Sequence, residues 1–292
     1  MSNLPAFMII GAMKSATSTL QYQLTRQPGI GMCTPKEPNF FSDDDQYSKG
    51  IEWYEELFSG FPEDFLTGEA STHYTKLPTY PKTVERIAEY SRDLKFIYVM
   101  RHPIDRLISH YMHEWSMGVY KCNINEAVSR HPEMIAYSQY AFQLEPFLNT
   151  FGKENVLPIF FDRLIKQPQS ELERICRFIG YQGGPVWEQS SSPRNVSSKR
   201  IRKFPFYNYL VESGLATSIR RTFIPQSFRS YVKSKLRMEK KPELSVEVLS
   251  KLESLFDEDL KVLSCQLGTS INCQNFRHIT ADKPLNWTSI ND

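Results

Sequence analysis

An unbroken apolar run that stops at a glycine, followed by a lysine and a cluster of hydroxyls, constrains this chain more than any other feature. Phe7-Met-Ile-Ile10 reads as a buried parallel strand, and Gly11 ends it. Thr17-Ser18-Thr19 then opens an amphipathic helix that runs to about Arg26-Gln27-Pro28. A strand, a tight loop and a helix start in that order bring free backbone N–H groups and the positive end of a helix dipole to one point. Lys14 adds a full positive charge within the loop, and the hydroxyls add donors. The arrangement predicts a phosphate cradle. It differs from a Walker A loop, which sets its lysine directly before the hydroxyl residue. Here Lys14 stands three residues after Gly11 and three before Thr17.

A second strand–loop–helix unit follows at Lys95-Phe-Ile-Tyr-Val-Met100, which leads into Arg101-His-Pro-Ile-Asp105 and a helix carrying Ser109. Pro103 suits a first helical turn, where its missing N–H is not needed, and Asp105 suits the positive helix end. Arg101 would lie at the carboxyl end of its strand, where open α/β sheets bind ligands. Ser109 follows two helical turns later, within reach of the same anion. An arginine fork with a hydroxyl suits a terminal phosphate.

Gly11 to Leu20 fits the spacing G-x-x-K-x-[GA]-T-[ST]-[ST]-L and resembles the 5′-phosphosulfate loop of sulfotransferases, which use 3′-phosphoadenosine 5′-phosphosulfate (PAPS). The resemblance implies a P-loop-like three-layer α/β/α fold with a mostly parallel central sheet. It implies that Lys14, Ser15, Ala16, Thr17, Ser18 and Thr19 bind the donor, with Lys14 also stabilising the leaving phosphate oxygen. The second unit looks like the family's 3′-phosphate motif, with Arg101 and Ser109 as contacts. Pro35-Lys-Glu-Pro-Asn-Phe-Phe41 is similar to the Lys-Glu-x-x-Phe-Phe signature of the heparan-sulfate and related bacterial enzymes, in which the Glu takes the acceptor's proton. A positioned carboxylate is chemically apt, because an alcohol is a poor nucleophile. Glu37 is therefore the expected base, and this chain has Asn39 where the family often has His.

Gly68-Glu-Ala-Ser-Thr-His-Tyr74 resembles the family's Gly-Glu-x-[Ser/Thr]-Pro-x-Tyr segment and offers Glu69 and His73 as acceptor-side residues, His73 also as an alternative base. Ala70 and Thr72 replace the Lys and Pro of several glycan enzymes. Asn195-Val-Ser-Ser-Lys-Arg200 looks like the late donor loop, adding Ser197 and Arg200. Ala16 stands at the usual glycine of the cradle; a positive φ there would cost about 1 kcal/mol.

At 292 residues, 40% apolar and 23% charged, the chain can bury one sizeable α/β core, and its net charge of +2 excludes little. One domain over 1–292 is expected, with a motif-bearing core at 5–204 and a basic, helical part at 205–292. Further helices are expected at Tyr80–Arg92, Tyr140–Thr150 and Gln169–Gly180. A strand end at 65–69 and a strand at 156–161 complete the set. The helix at Ser245–Leu267 is expected to pack on the sheet edge. From Arg194 to Lys241 there are thirteen basic residues against Glu212 and Glu239, which fits either a solvated face or a surface for an anionic partner. No nucleic-acid-binding module accompanies that charge. Five cysteines without metal-ligand spacing imply no metal site; Cys265 and Cys273 are close enough to pair, although free thiols are expected in a reducing compartment. No run reaches membrane-spanning length, and a cytoplasmic protein is expected, although the Golgi relatives carry an N-terminal anchor.

The implied reaction is sulfuryl transfer from PAPS, leaving its product PAP, to a hydroxylated small molecule, a glycan or a carrier-bound acyl chain, with an amine acceptor open on the same residues. Rival readings are a P-loop nucleotide kinase and a non-catalytic protein that binds PAPS or a sulfated ligand.

Overall fold

The computed structural model describes residues 4–189 and 241–288. Five parallel strands form one sheet in the order β2-β3-β1-β4-β5: β1 (Phe7–Gly11), β2 (Ile30–Met32), β3 (Leu66–Ala70), β4 (Lys95–Met100) and β5 (Val156–Phe160). Phe7 aligns with Gly68 on one side and Lys95 on the other, and Phe96 aligns with Val156. Every residue of β1 and β5 is buried, as expected of a parallel sheet covered on both faces.

Side-chain alternation divides the core into two layers. Phe7, Ile9, Ile97, Val99 and Ile159 pack with Leu20 and Leu24 of α1 (Thr17–Thr25). Two short helices, α2 (Asp44–Tyr47) and α3 (Ile51–Glu56), follow β2, and α4 (Thr83–Tyr90) follows β3. On the opposite face Met8, Ile10, Phe96, Tyr98 and Met100 pack with residues of α5 (Pro103–Ser116), α6 (Ile124–Arg130), α7 (Glu133–Ala136) and α8 (Tyr140–Phe151). Two helices follow β5, α9 (Phe161–Lys166) and α10 (Pro168–Phe178), and Leu164, Leu172 and Ile175 return to the α1 layer. The three-layer α/β/α expectation matches this architecture.

The C-terminal helix α11 (Val246–Leu267) begins at Ser245, whose hydroxyl accepts from the Val248 N–H, and ends at a left-handed Gly268. It packs against α8 and α5 rather than on the sheet edge. Its apolar period defines which face is buried, but not which element covers it. A last helix, α12 (Phe276–Asp282), packs against α9. All five cysteines are free, Cys265 and Cys273 included. Among the described residues no helix is long and apolar enough to cross a membrane, and no group of three or more potential ligands could hold a metal.

The chain leaves β1 toward β2 on one side and leaves β4 toward β5 on the other. The crevice at the carboxyl ends of β1 and β4 is thus the topological switch point, where ligands of open α/β sheets bind.

Candidate active site

The first two predicted donor loops open into that crevice. Gly11 ends β1 at φ +155°, and a Cβ there would lie 2.1 Å from Thr75 Oγ1 and 2.8 Å from the Tyr98 ring, so only glycine fits. The loop is tied down by Ala12 N–H to Val99 O (2.9 Å) and Ser15 N–H to Ala12 O (3.1 Å). Ala16 is the N-cap of α1 at φ 68°, ψ 19°, and no side chain caps the helix. The strain foreseen for a left-handed alanine is therefore present. The first-turn amides of Thr17 and Ser18 also lack a side-chain acceptor, the condition under which a helix end takes up an anion. Ser15 is fully buried with its hydroxyl unpartnered, a second donor looking for an acceptor.

Arg101 joins the two loops. Its Nη1 donates to Lys14 O at 3.3 Å, its guanidinium lies 4.7 Å from the centre of the Phe161 ring, and its Nε is buried without an acceptor. Its backbone is clasped by the fully buried Tyr140, whose hydroxyl accepts from Arg101 N–H at 3.2 Å and donates to Arg101 O at 2.5 Å. Asp259 of α11 in turn accepts from the Ala141 and Phe142 amides at 3.0 Å each and fixes the start of α8. Sequence reasoning missed Tyr140 and Asp259, because nothing local marks a clamp assembled from distant elements. Ser109 lies buried on α5. Orphaned donors at Ser15 and Arg101, with an uncapped helix, make these residues a fit for the two phosphates of PAPS. Ser197 and Arg200 lie outside the described residues.

Glu37 sits on a loop that the sheet holds in place. Its N–H donates to Ala70 O at 3.1 Å, and Asn39 N–H donates to Ser71 Oγ at 3.1 Å. Phe40 and Phe41 anchor the next residues against Tyr54, with ring centres 4.8 and 4.9 Å away. Lys36 bridges this loop to the donor cradle: its Nζ donates to Ser18 Oγ at 2.7 Å and pairs with Glu37 Oε1 at 3.0 Å. The sequence expectations gave Lys36 no role. Its signals were its place at the head of the Lys-Glu-x-x-Phe-Phe signature and its adjacency to Glu37. Among the described residues, the four non-glycine residues with positive φ are Lys14, Ala16, Glu37 and Asn39. All lie in these two loops, and such backbone strain concentrates where function over-determines geometry.

Glu69 does not line the cleft as expected. It is 0% exposed, and its carboxylate accepts from Tyr54 and Tyr74 at 2.7 Å each and from Ser71 at 2.6 Å. Burial pushes this carboxyl above the usual range although the hydroxyls oppose the shift. Ser71 passes the interaction on to Asn39, so Glu69 positions the Glu37 loop from behind. His73 stacks on Tyr80 with ring centres 4.9 Å apart, and its Nδ1 has no partner. Burial, helped by the Lys76 charge, pushes it down to about 4. That leaves it neutral but a weak base.

A family model described as the sulfotransferase domain matches residues 4–264. Mouse heparan sulfate glucosamine 3-O-sulfotransferase 3A1 is 32% identical over 189 residues, covering 61% of this chain and 46% of that protein. Mouse bifunctional heparan sulfate N-deacetylase/N-sulfotransferase 4 is 28% identical over 199 residues, covering 61% of this chain and 22% of that protein. The match spans less than half the length of these relatives. A sulfotransferase from Alicyclobacillus acidocaldarius superimposes with a TM-score of 0.66 at 22% identity, over 92% of this chain and 97% of its own, which supports the fold.

Proposed function

The chain belongs to the sulfotransferase domain family, and we propose that it moves a sulfuryl group from PAPS to an acceptor hydroxyl, with Glu37 as base and Lys14 as the cation at the leaving oxygen. PAPS supplies the sulfuryl group and departs as 3′,5′-ADP. Ser15, Thr17, Ser18, Thr19 and the amides from Ala16 onward hold the 5′-phosphate, while Arg101 and Ser109 hold the 3′-phosphate. Glu37 accepts the acceptor's proton as the new O–S bond forms and the bridging bond of the donor breaks. Lys14 meets negative charge that grows only as that bond breaks, so its contribution falls on the transition state.

The observation that carries this reading is the Lys36 bridge. It ties the predicted base to a hydroxyl of the donor cradle, so one lysine spans the donor and acceptor loops. The test has two parts. Calorimetry should show 3′,5′-ADP binding more tightly than ATP or 5′-AMP; a preference for ATP would favour a kinase. Glu37→Gln should then lower kcat with labelled PAPS by about 100- to 10,000-fold at unchanged 3′,5′-ADP affinity, and His73→Ala should do much less. The reverse order would make His73 the base. The same residues serve a hydroxyl or an amine acceptor, and the similarity to both 3-O- and N-sulfotransferases keeps both in the screen.

A further inference from the structure

Next to the segment that holds the Glu37 loop lies a group of basic side chains with incomplete partners. Lys76 follows the 3₁₀ turn Thr72–Thr75 and is 9% exposed. Among the described residues its ammonium makes no hydrogen bond and no ion pair; it lies 5.7 Å from the centre of the Tyr137 ring. Arg106 of α5 is fully buried. Its Nε donates to Ser138 Oγ, its Nη2 donates to Met134 O, and its Nη1 has no acceptor. His110, one helical turn on, stacks on Tyr137 and leaves its Nδ1 unpartnered, as does His73 beside the same turn.

Buried cations are normally paired, because an unpaired charge in a protein interior loses its hydration without recompense. The carboxylates whose charge reaches Lys76 are Glu37 and Glu114, and neither touches it, while Arg106 repels it. Burial consequently pushes Lys76 down to about 8, which still leaves it charged at neutral pH. A water molecule could accept its hydrogen bonds but not balance its charge. The ammonium is therefore available to an anion. The turn that precedes it starts from Ser71, which holds the Glu37 loop, and the Glu37 charge reaches it, so such an anion would lie on the Glu37 side.

We propose that Lys76 recognises the acceptor, binding an anionic oxygen group (carboxylate, sulfate or phosphate) carried near the hydroxyl presented to Glu37, with Arg106 reinforcing the positive potential from behind. This rests on the assignment of the Glu37 side as the acceptor side. Lys76 acts on specificity, and the donor anions already have Lys14, the α1 terminus and Arg101.

The test is calorimetric titration of the full chain, free and with 3′,5′-ADP bound, with glucose, glucuronate, glucose 6-sulfate and glucose 6-phosphate. At least one charged hexose should bind about tenfold or more tightly than glucose, the scale of one charge-assisted hydrogen bond. The hexose that wins identifies the anion. In Lys76→Met that preference should vanish at unchanged 3′,5′-ADP affinity. Its thermal stability should stay level or rise, since an unpaired buried charge is removed. Equal binding of all four hexoses, or a preference that survives in Lys76→Met, overturns the proposal. So does a marked loss of stability in that variant, which would make Lys76 structural. A failure of the donor assignment appears separately, as wild-type protein that ignores 3′,5′-ADP while the hexose titrations of the free chain still read Lys76. A failure of the base assignment appears as a Glu37→Gln variant that keeps its turnover.

Discussion

Tyr140→Phe separates the clamp on Arg101 from the packing that surrounds it. The ring is fully buried and stays in place in the variant; the hydroxyl alone is removed. Two hydrogen bonds go with it, the 3.2 Å bond accepted from Arg101 N–H and the 2.5 Å bond donated to Arg101 O. Leaving a buried backbone group unpaired costs about 1–3 kcal/mol. Arg101 is only half-buried, so water can reach part of its backbone, and about 1–3 kcal/mol in total is expected rather than twice that. For a chain of this size each kcal/mol moves the melting temperature by about 2–4 °C, giving a drop of about 2–12 °C. The functional part is sharper. Without its backbone anchor the guanidinium keeps, among the described residues, the Lys14 carbonyl and the Phe161 ring as supports. The preference for 3′,5′-ADP over 5′-AMP should then fall by about tenfold in calorimetry. Arg101→Ala should remove nearly all of it, by roughly 2 kcal/mol or more. A Tyr140→Phe protein that melts lower yet keeps the full preference would refute the link from clamp to phosphate recognition. Equal affinity of wild-type protein for both nucleotides would refute the 3′-phosphate assignment itself.

Two further outcomes bear on chemistry and pH. Lys14→Ala should lower kcat more than donor affinity, because the charge it is proposed to meet develops as the leaving bond breaks; a variant with near-normal kcat and only a raised KM for PAPS would show that Lys14 merely anchors phosphate. His110 is held down to about 2, first by burial and then by the Arg106 charge, so the unfolded chain takes up its proton near pH 6.5 while the folded chain does not. Its stability contribution is complete above pH 6.5 and falls below it, reaching a loss of about 2 kcal/mol at pH 5. His73 and His102 are shifted in the same direction and act in the same window. His110→Gln should flatten the stability profile between pH 8 and 5 by that amount in denaturant titrations, and an unchanged profile would show that His110 titrates normally.

The parts of this molecule that sequence reveals are those whose physics is local. A parallel strand buried on both faces must be continuously apolar, so Phe7–Gly11, Lys95–Met100 and Val156–Phe160 announce themselves. An anion loop must follow such a strand and open a helix, so Lys14 and Arg101 are legible from their places in the chain. Ala16 was legible as a position at risk, but only the left-handed backbone decides that the strain exists. Glu69 shows where local reading stops. A carboxylate beside a cleft motif looks like a ligand contact, and what encloses it is two tyrosines and a serine, one of them contributed from α3. The same holds for α11. Its period foretold a buried face, while the aspartate it sends to the start of α8 is set by packing across more than a hundred residues. Residues that would touch donor or acceptor are thus written into short motifs, and residues that aim them are distributed over the fold. The loop that carries Glu37 joins the two kinds. Its motif is readable in seven residues, yet its positive φ values at Glu37 and Asn39 persist because Ala70, Ser71 and the buried aromatic stack hold them there. Loss of activity on mutating that stack, or Ser71, would therefore report on the aim of the proposed base rather than on its chemistry.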